Sequence, residues 1–263
     1  MYNLRGVYTI WYRDMLRFWR DRIRLVGSIF LPVLFLFVFG SGLGSRMGML
    51  GSGVDFTQFI FPGIIGMTVL MNSFMSGVSV VWDREFGFLK EVLVAPINRA
   101  SVAVGKTLGA ATIAMIQGSI ILLFAPLIEV SLSPGTMARL LPAMFLLAVA
   151  TGSFGVLLAS RIKTMEAFQA VTQMLTFPMI FLSGVFFPIE EGPTWISVLS
   201  KINPATYGIA IIRQVALGGG GPGVAFELTL FGHTLSVWDN VAIVLTFGGV
   251  VTLLAMRSFS SQD

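Results

Sequence analysis

Six long apolar stretches run along the chain, and polar or charged residues separate them. They cover residues 25–44, 58–82, 104–128, 138–160, 166–187 and 238–256. A helix needs about 20 predominantly apolar residues to cross the hydrocarbon core of a bilayer. The pattern therefore predicts six transmembrane helices, the first of which contains Pro32.

The first 24 residues predict an amphipathic helix that does not span. Leu4, Tyr8, Trp11, Met15 and Phe18 recur at helical spacing, and six arginines share the segment. A basic helix with aromatic residues on its apolar side lies in the headgroup plane of a membrane. The alternative is the basic region of a signal peptide, but the segment is too long and no small-residue cleavage site follows it.

Two connections differ from ordinary loops. Residues 83–105 are rich in charge yet keep apolar residues at helical spacing, which predicts a short helix against the membrane face. Residues 187–213 contain apolar runs too short to span, and three prolines interrupt them, as in re-entrant or interfacial segments. The glycine-rich residues 218–223 predict an external loop.

The composition agrees with an all-α integral membrane protein. Apolar residues make up 55% of the 263 residues and charged residues only 11%, against about 25% charged residues in soluble domains. So few charges cannot cover a water-facing surface, so lipid must cover part of it. The length predicts one transmembrane domain over residues 1–263, with room for six spans.

The distribution of positive charge predicts the orientation. With the N-terminus in the cytoplasm, 13 of the 17 lysines and arginines fall on the cytoplasmic side and 4 outside. Cytoplasmic connections carry an excess of Lys and Arg. An even number of spans then places both termini in the cytoplasm.

The residue types leave little room for catalytic or metal chemistry. The chain has no Cys and a single His, His233, which disfavours thiolate or imidazole metal sites, haem ligation and disulfides. Gly105-Lys106-Thr107 ends like a phosphate loop, but Ala100 stands at the first glycine position. We interpret Lys106 as a basic anchor at the start of the third span. We expect no catalytic, cofactor-binding or metal site on this chain.

Several polar side chains lie within the spans. Asn72, Ser76 and Ser79 share one face of the second span, and the fifth carries Gln169 and Gln173. Polar groups that face lipid are costly, so these should face protein or water. Hydrogen bonds between helices and the lining of a substrate path are both compatible with this pattern.

Deeply placed charges are not expected from the sequence. Ion-coupled carriers usually need buried ionisable groups, so their absence argues against a self-powered carrier. A protein that moves a substrate without them needs energy from elsewhere.

The segment after the second span has the pattern of a docking helix. Its charges lie on one face, while Phe86, Leu89 and Leu93 lie on another, and Pro96 ends it. An amphipathic helix of this kind can enter a groove on a partner protein. A solvated connector is the alternative.

Two stretches resemble signatures of the type 2 ATP-binding-cassette (ABC) exporter permeases. DREFGFLKEVLVAPINRASVAVGK, residues 83–106, resembles their cytoplasmic signature. LSGVFFPIEEGPTWISVLSKINPATYGIAIIR, residues 182–213, resembles the span and external re-entrant helices of the second. The resemblance covers essentially the whole chain, and the wording LVAPINR is most similar to the antibiotic-resistance branch.

The resemblance implies an export permease of a prokaryotic plasma membrane, with no nucleic-acid partner. It would form a dimer, a homodimer by expectation, and receive two copies of a separate ATPase subunit that holds ATP and Mg. The implied contacts to the ATPase lie on the coupling segment, residues 83–103, and on the interfacial helix. They are Arg13, Arg17, Asp83, Arg84, Glu85, Gly87, Lys90, Glu91, Pro96 and Arg99. The implied external gate contains Phe187, Pro188, Asn203, Pro204 and Tyr207.

The cargo is not specified by these motifs. Amphipathic drugs, lipids and glycans all suit the polar positions Asn72, Ser76, Ser79, Gln169 and Gln173. A membrane-embedded lipid-modifying enzyme and an ion-coupled carrier or channel are the rival functions.

Overall fold

The computed structural model describes residues 2–39, 49–50, 54–87, 98–128, 130, 132–218, 228–230 and 232–260. Most of these residues are helical. The helices are α1 (Tyr2–Arg20), α2 (Arg22–Phe37), α3 (Phe56–Phe74), α4 (Val78–Glu85), α5 (Arg99–Leu122), α6 (Pro134–Arg161), α7 (Met165–Phe181), α8 (Thr194–Ile202), α9 (Pro204–Leu217) and α10 (Val237–Ser260). Short 3-10 helices cover Met75–Gly77, Ala125–Ile128 and Ile189–Glu191.

Two small antiparallel pairs of strands lie in the connections. Strand β1 (Met49–Leu50) pairs with β2 (Val54–Asp55). Strand β3 (Thr229–Leu230) pairs with β4 (His233–Thr234). Apart from these short strands, the regular secondary structure of the described residues is helical, in agreement with the all-α prediction.

Polar residues fix where several helices begin. Asn98 accepts a hydrogen bond from the backbone N–H of Ala100 at the start of α5. Thr164 caps α7 through the N–H of Ala167. Such side chains satisfy backbone donors that have no partner within the helix. The same chemistry sets the start of α9, where Asn203 stands before Pro204.

Four helical segments are long and apolar enough to cross a membrane. They are Phe56–Glu85, Arg99–Leu122, Pro134–Arg161 and Val237–Phe259. These correspond to the second, third, fourth and sixth predicted spans.

The first and fifth predicted spans are shorter helices. The apolar part of the first is Leu25–Phe37, and residues 40–44 lie outside the described residues. The fifth, α7, ends at Phe181 rather than at residue 187. The chain leaves the helix through a turn in which Gly184 has φ of +75°, a conformation that glycine adopts without steric strain.

A bundle of α3, α5, α6 and α10 forms the centre of the molecule. Helix α9 packs against α3, α6 and α10, and we call that end of the bundle the α9 end. Helix α1 lies along α5. We call the end of the bundle that α1 covers the α1 end. Helix α2 contacts α3 and α5, while α7 lies at the periphery beside α4.

Small and hydroxyl-bearing residues bring the central helices together. Ser73 on α3 and Thr151 on α6 share a hydrogen bond of 2.6 Å. Ser153 on α6 and Thr252 on α10 share one of 2.7 Å. Gly155 lies directly against the backbone of α3, where a Cβ atom would overlap a carbonyl oxygen. Close backbone approach and interhelical hydrogen bonds are the usual means of helix association in lipid.

The predicted surface helix over residues 83–105 is wrong at both of its ends. Asp83 to Glu85 belong to α4, which continues the second span beyond the short 3-10 turn. Residues 99–105 are already part of α5. Residues 88–97, between them, lie outside the described residues. Helix α4 ends because Gly87 adopts a φ of +78°, the left-handed conformation that terminates helices.

The segment between the fifth and sixth predicted spans forms two short helices, α8 and α9. Their depth relative to a bilayer stays a prediction. The glycine-rich stretch 219–223 lies outside the described residues.

Candidate coupling site

A carboxylate lies on the packed face of α1. Asp14 is 8% exposed and stands between Ile10 and Phe18, which are buried as well. All three residues share one face because they are four positions apart. A buried carboxylate requires a cationic or hydrogen-bonding partner.

Lys106 on α5 supplies that partner. Its ammonium nitrogen lies 3.2 Å from Asp14 Oδ1, 2.8 Å from Asp83 Oδ2 and 3.0 Å from Ser79 Oγ. An ammonium group has three N–H donors. These three acceptors therefore match its hydrogen-bonding capacity, although the side chain is only 2% exposed.

Arg13 completes the group from the α1 side. Its Nη2 lies 2.5 Å from Asp83 Oδ2 and 3.5 Å from Asp14 Oδ1. Two cations and two carboxylates thus form a neutral group, which we call the ionic cluster: Arg13, Asp14, Asp83 and Lys106. The cluster joins α1, α4 and α5.

Glycines let α1 come close enough to form the cluster. A Cβ on Gly105 would lie 3.0 Å from the Val7 carbonyl oxygen and 3.0 Å from Ile10 Cβ. A Cβ on Gly109 would lie 3.3 Å from Asp14. Larger residues on this face of α5 would push α1 away from Lys106.

An aromatic surface lies next to the ionic cluster. The guanidinium of Arg17 lies 4.7 Å from the centre of the Trp82 ring, and the rings of Trp82 and Phe86 are 5.4 Å apart. Cations are attracted to the face of an aromatic ring. Phe86 is 73% exposed. In the sequence it lies two positions before residues 88–97, which are outside the described residues.

The predicted coupling residues at the end of the second span point in different directions. Arg84 donates to the main-chain carbonyls of Ile162 at 2.9 Å and Ser160 at 3.0 Å, which lie at the end of α6. A cation there satisfies carbonyls that lack a helical partner. Glu85, by contrast, is exposed.

The remaining predicted coupling residues lie further along the chain. Arg99 is the first residue of α5. Lys90, Glu91 and Pro96 lie outside the described residues. The contacts of all these residues with an ATPase stay predictions.

Two of the predicted path residues line one pocket near the ionic cluster. Asn72 and Ser79 line it on the second span, together with Asp14, Arg17 and Phe18 of α1 and with Ala110 and Ile113 of α5. The amide of Asn72 also donates to the carbonyl of Thr68 at 2.9 Å. The side chain of Ser76 lies outside the described residues.

Gln169 and Gln173 are not brought into that pocket. Both are exposed on α7, whose buried strip consists of Phe168, Thr172, Thr176 and Ile180. The two glutamines therefore face away from the rest of the described chain.

The predicted gate residues gather around α8 and α9. Asn203 is 7% exposed and donates to the carbonyl of Met179 at 2.7 Å, which ties α9 to the end of α7. The hydroxyl of Tyr207 donates to the carbonyl of Lys201 at 2.5 Å and so holds α8 against α9. Pro204 is the first residue of α9. Phe187 and Pro188 are half-buried in the turn between α7 and α8.

Comparison with known proteins places this geometry in a family. The family model described as ABC-2 type transporter matches residues 5–217. The chain belongs to the ABC-2 type transporter family. The match includes residues 5–20 of α1, the ionic cluster and all of α9.

Curated ABC-2 relatives agree with this membership. The chain is 30% identical over 248 residues to the protein named "Putative transport permease ycf38" of Cyanophora paradoxa, covering 92% of this chain and 84% of that protein. It is 28% identical over 212 residues to the inner membrane transport permease YadH of Escherichia coli K12, covering 80% and 82%. It is 27% identical over 207 residues to "Probable multidrug ABC transporter permease YbhR" of the same strain, covering 78% and 54%.

Membership makes this ABC-2 chain an integral membrane protein and a transport permease subunit. Its relatives are permeases rather than enzymes. The family also implies an ABC ATPase subunit as partner. The resemblance seen in residues 83–106 and 182–213 is thus confirmed at the level of the family.

Sequence reasoning missed the centre of the permease's ionic cluster. Lys106 is not simply a basic anchor at the start of the third span, since it is buried among two carboxylates and a hydroxyl. Charges buried within the protein were also not foreseen, yet Asp14 and Arg213 are both buried. One signal was present: Asp14 lies on the apolar side of an amphipathic helix, where a carboxylate requires a cation.

Proposed function

We propose that this chain is the permease subunit of an ATP-driven ABC exporter that moves an amphipathic substrate out of the cytoplasm or the inner leaflet. Family membership supports a transport role. The observation that carries the coupling mechanism is the ionic cluster, in which Asp83 of the coupling segment ties α4 to α1 and α5. A displacement of the coupling segment therefore reaches three helices at once.

The proposed topology has six spans with both termini in the cytoplasm of a prokaryote. The charge distribution along the sequence supports it, since 13 of the 17 lysines and arginines fall on the cytoplasmic side in this orientation. In this orientation the α1 end faces the cytoplasm, and the α9 end with its re-entrant helices faces outward.

The proposed power stroke starts in the partner. ATP and Mg bind to two copies of the ATPase subunit, and this chain needs no cofactor of its own. Closure of the ATPase dimer displaces the coupling segment, and Glu85 is an exposed residue there that can contact it. Helix α4 continues directly into α3 through the 3-10 turn Met75–Gly77, so the displacement passes into the second span.

The substrate path is proposed to combine two surfaces. Asn72 and Ser79 supply polar groups near the cytoplasmic end. Gln169 and Gln173 lie on an exposed face of a membrane helix, where lipid would leave their amides unpaired. A second copy of the chain, or water in a path between two copies, removes that cost. A homodimer therefore suits this face, with drugs, lipids and glycans as candidate cargo.

An ion-coupled carrier is the second candidate, because the chain does contain buried charges. The ionic cluster argues against it. Lys106 already has three acceptors, and the two carboxylates are balanced by two cations. A neutral, mutually satisfied group leaves no charge to be exchanged with a transported ion.

One experiment separates these functions. The tagged chain is purified in mild detergent, its co-purifying ATPase is identified by its phosphate loop, and the complex is reconstituted in lipid vesicles. We expect ATP hydrolysis that candidate amphipathic substrates stimulate, and substrate movement that an ionophore does not abolish. Movement without an ATPase subunit, or movement that collapses with the ion gradient, would contradict the proposal.

A further inference from the structure

Helix α7 contacts the rest of the chain through a narrow strip. Its buried residues are Phe168, Thr172, Thr176 and Ile180, one per turn. The hydroxyls of Thr172 and Thr176 have no hydrogen-bond partner among the described residues. Most other side chains of α7 are exposed. Along its length, α7 is therefore held by little more than van der Waals contact.

The α9 end of α7 is held differently. Asn203 Nδ2 donates to the Met179 carbonyl at 2.7 Å, and Thr206 Oγ1 donates to the Leu182 carbonyl at 3.2 Å. Arg213 Nη2 donates to the Gly184 carbonyl at 2.5 Å. We call Asn203, Thr206 and Arg213 the carbonyl clamp. Its acceptors lie in the last turn of α7 and the turn that follows, where carbonyls lack partners within a helix.

Arg213 is the most unusual member of the clamp. It is 5% exposed, and its guanidinium carbon lies 4.0 Å from the centre of the Phe59 ring on α3. In the described part of the chain, no carboxylate pairs with it. A buried cation without an acid is costly, so the carbonyl of Gly184 and the ring of Phe59 are needed to stabilise it.

Helix α9 is itself fixed to the central bundle. It packs against α3, α6 and α10. Beyond the clamp, Gln214 donates to the Leu235 carbonyl at 3.1 Å and accepts from Asn240 of α10 at 3.3 Å. The clamp therefore attaches one end of a loosely packed helix to the best-packed part of the fold.

We infer that the carbonyl clamp makes the α9 end of α7 a pivot, about which α7 tilts during transport. Asn203, Thr206 and Arg213 act as positioning residues, and this inference rests on the proposed function. A helix of 17 residues is about 25 Å long, so a tilt of about 10° moves the free end by about 4 Å. The gap between α7 and the rest of the bundle then widens at the α1 end, while α7 and α9 stay together.

Spin-label distances measured by pulsed EPR test the pivot. The chain has no native Cys, so engineered cysteines are labelled without background. One pair, Phe181→Cys with Trp238→Cys, reports the α9 end, and a second pair, Ala167→Cys with Leu254→Cys, reports the α1 end. All four sites are exposed. The permease–ATPase complex is placed in nanodiscs, with labelled chain diluted by unlabelled chain so that distances within one chain dominate.

Between the nucleotide-free and the vanadate-trapped complex, we expect the α1-end distance to shift by several ångströms. The α9-end distance should stay constant. An equal or larger shift at the α9 end would overturn the pivot, and so would the absence of any shift at the α1 end.

A variant arm tests the clamp in the nucleotide-free chain and so does not depend on transport. Thr206→Val removes one bond at nearly constant volume, and Arg213→Met removes the cation. Each should broaden the α9-end distance distribution while the α1-end pair keeps its mean. Thr246→Val is the matched control, because that exposed hydroxyl bonds only within its own helix α10.

The two arms separate the possible failures. Unchanged distributions in Thr206→Val, with the control also unchanged, overturn the clamp even if Arg213→Met fails to fold. A chain that binds no ATPase would contradict the proposed function, whereas the width of the α9-end distribution in the variants still decides the clamp.

Discussion

Replacing Lys106 by methionine should unbalance the ionic cluster. Lys106→Met keeps the length of the side chain but removes the cation that contacts Asp14 and Asp83. Arg13 then remains as the cation within the cluster for two largely buried carboxylates. Asp14 loses more of its electrostatic stabilisation than Asp83 does, because Arg13 lies 3.5 Å from Asp14 but 2.5 Å from Asp83.

The expected loss is large for one substitution. Removing one partner of a buried ion pair destabilises a protein by about 3–5 kcal/mol, because it leaves a charge buried without compensation. Partial exposure of Arg13, at 31% of its side chain, places the cluster near the lower end of that range. Neutralising Asp14 as well restores the charge balance, so Lys106→Met with Asp14→Asn should be more stable than Lys106→Met alone.

Thermal unfolding of the purified permease in detergent, followed by size-exclusion chromatography, measures this order. Lys163→Met is the control, because Lys163 is exposed and a surface charge contributes about 0–1 kcal/mol. The expected ranking is parent and control, then the double variant, then Lys106→Met. The reasoning is refuted if Lys106→Met unfolds at the same temperature as the parent protein, or if the double variant unfolds at a lower temperature than Lys106→Met.

Three further predictions concern coupling, packing and the path. Glu85→Gln should leave the unfolding temperature unchanged but weaken the link between ATP hydrolysis and transport in vesicles, because Glu85 is exposed at the coupling segment. Arg84→Gln should instead lower the free energy of unfolding by about 1–3 kcal/mol, since it leaves carbonyls at the end of α6 unpaired. Gly155→Ala should reduce the yield of folded protein several-fold, because its Cβ would overlap the backbone of α3, whereas Gly249→Ala, with nothing within 4 Å, should be neutral by the same chromatographic assay. Asn72→Leu should change the concentration of substrate that half-stimulates ATPase activity and leave basal hydrolysis as it is; an unchanged stimulation curve would remove Asn72 from the path.

The helices were predictable because lipid imposes a simple rule on sequence. A spanning segment must be apolar for about 20 residues, and the runs that became α3, α5, α6 and α10 satisfy it. The end of α7 was not predictable from hydropathy. The residues after Phe181 stay apolar, and only the conformation of Gly184 shows that the helix has already turned.

The candidate site was harder to predict, because its members are distant in sequence. Asp14 and Lys106 are 92 positions apart, and Arg13 and Asp83 are 70 apart. Each residue alone suits an ordinary surface position at a membrane interface. Only the packing of α1 on α5, which Gly105 permits, turns them into a buried group.

Arg84 shows the opposite limit of sequence reasoning. Its position within the family signature suggested a contact with the ATPase, and its charge agreed with that role. The structure assigns its guanidinium to the carbonyls at the end of α6. A residue of a family signature can thus hold the scaffold, while contacts of the signature with an ATPase stay predictions.

The distance along the chain between Asp14 and Lys106 sets an order for biogenesis. Synthesis proceeds at about 5–20 residues per second, so Lys106 leaves the ribosome roughly 5–18 s after Asp14. Until then the carboxylate has no ammonium partner. The proposed interfacial position of α1 keeps that carboxylate hydrated during the delay. Because Lys106 belongs to α5, α1 can complete its docking only after α5 has been synthesised, which makes that docking a late step of assembly.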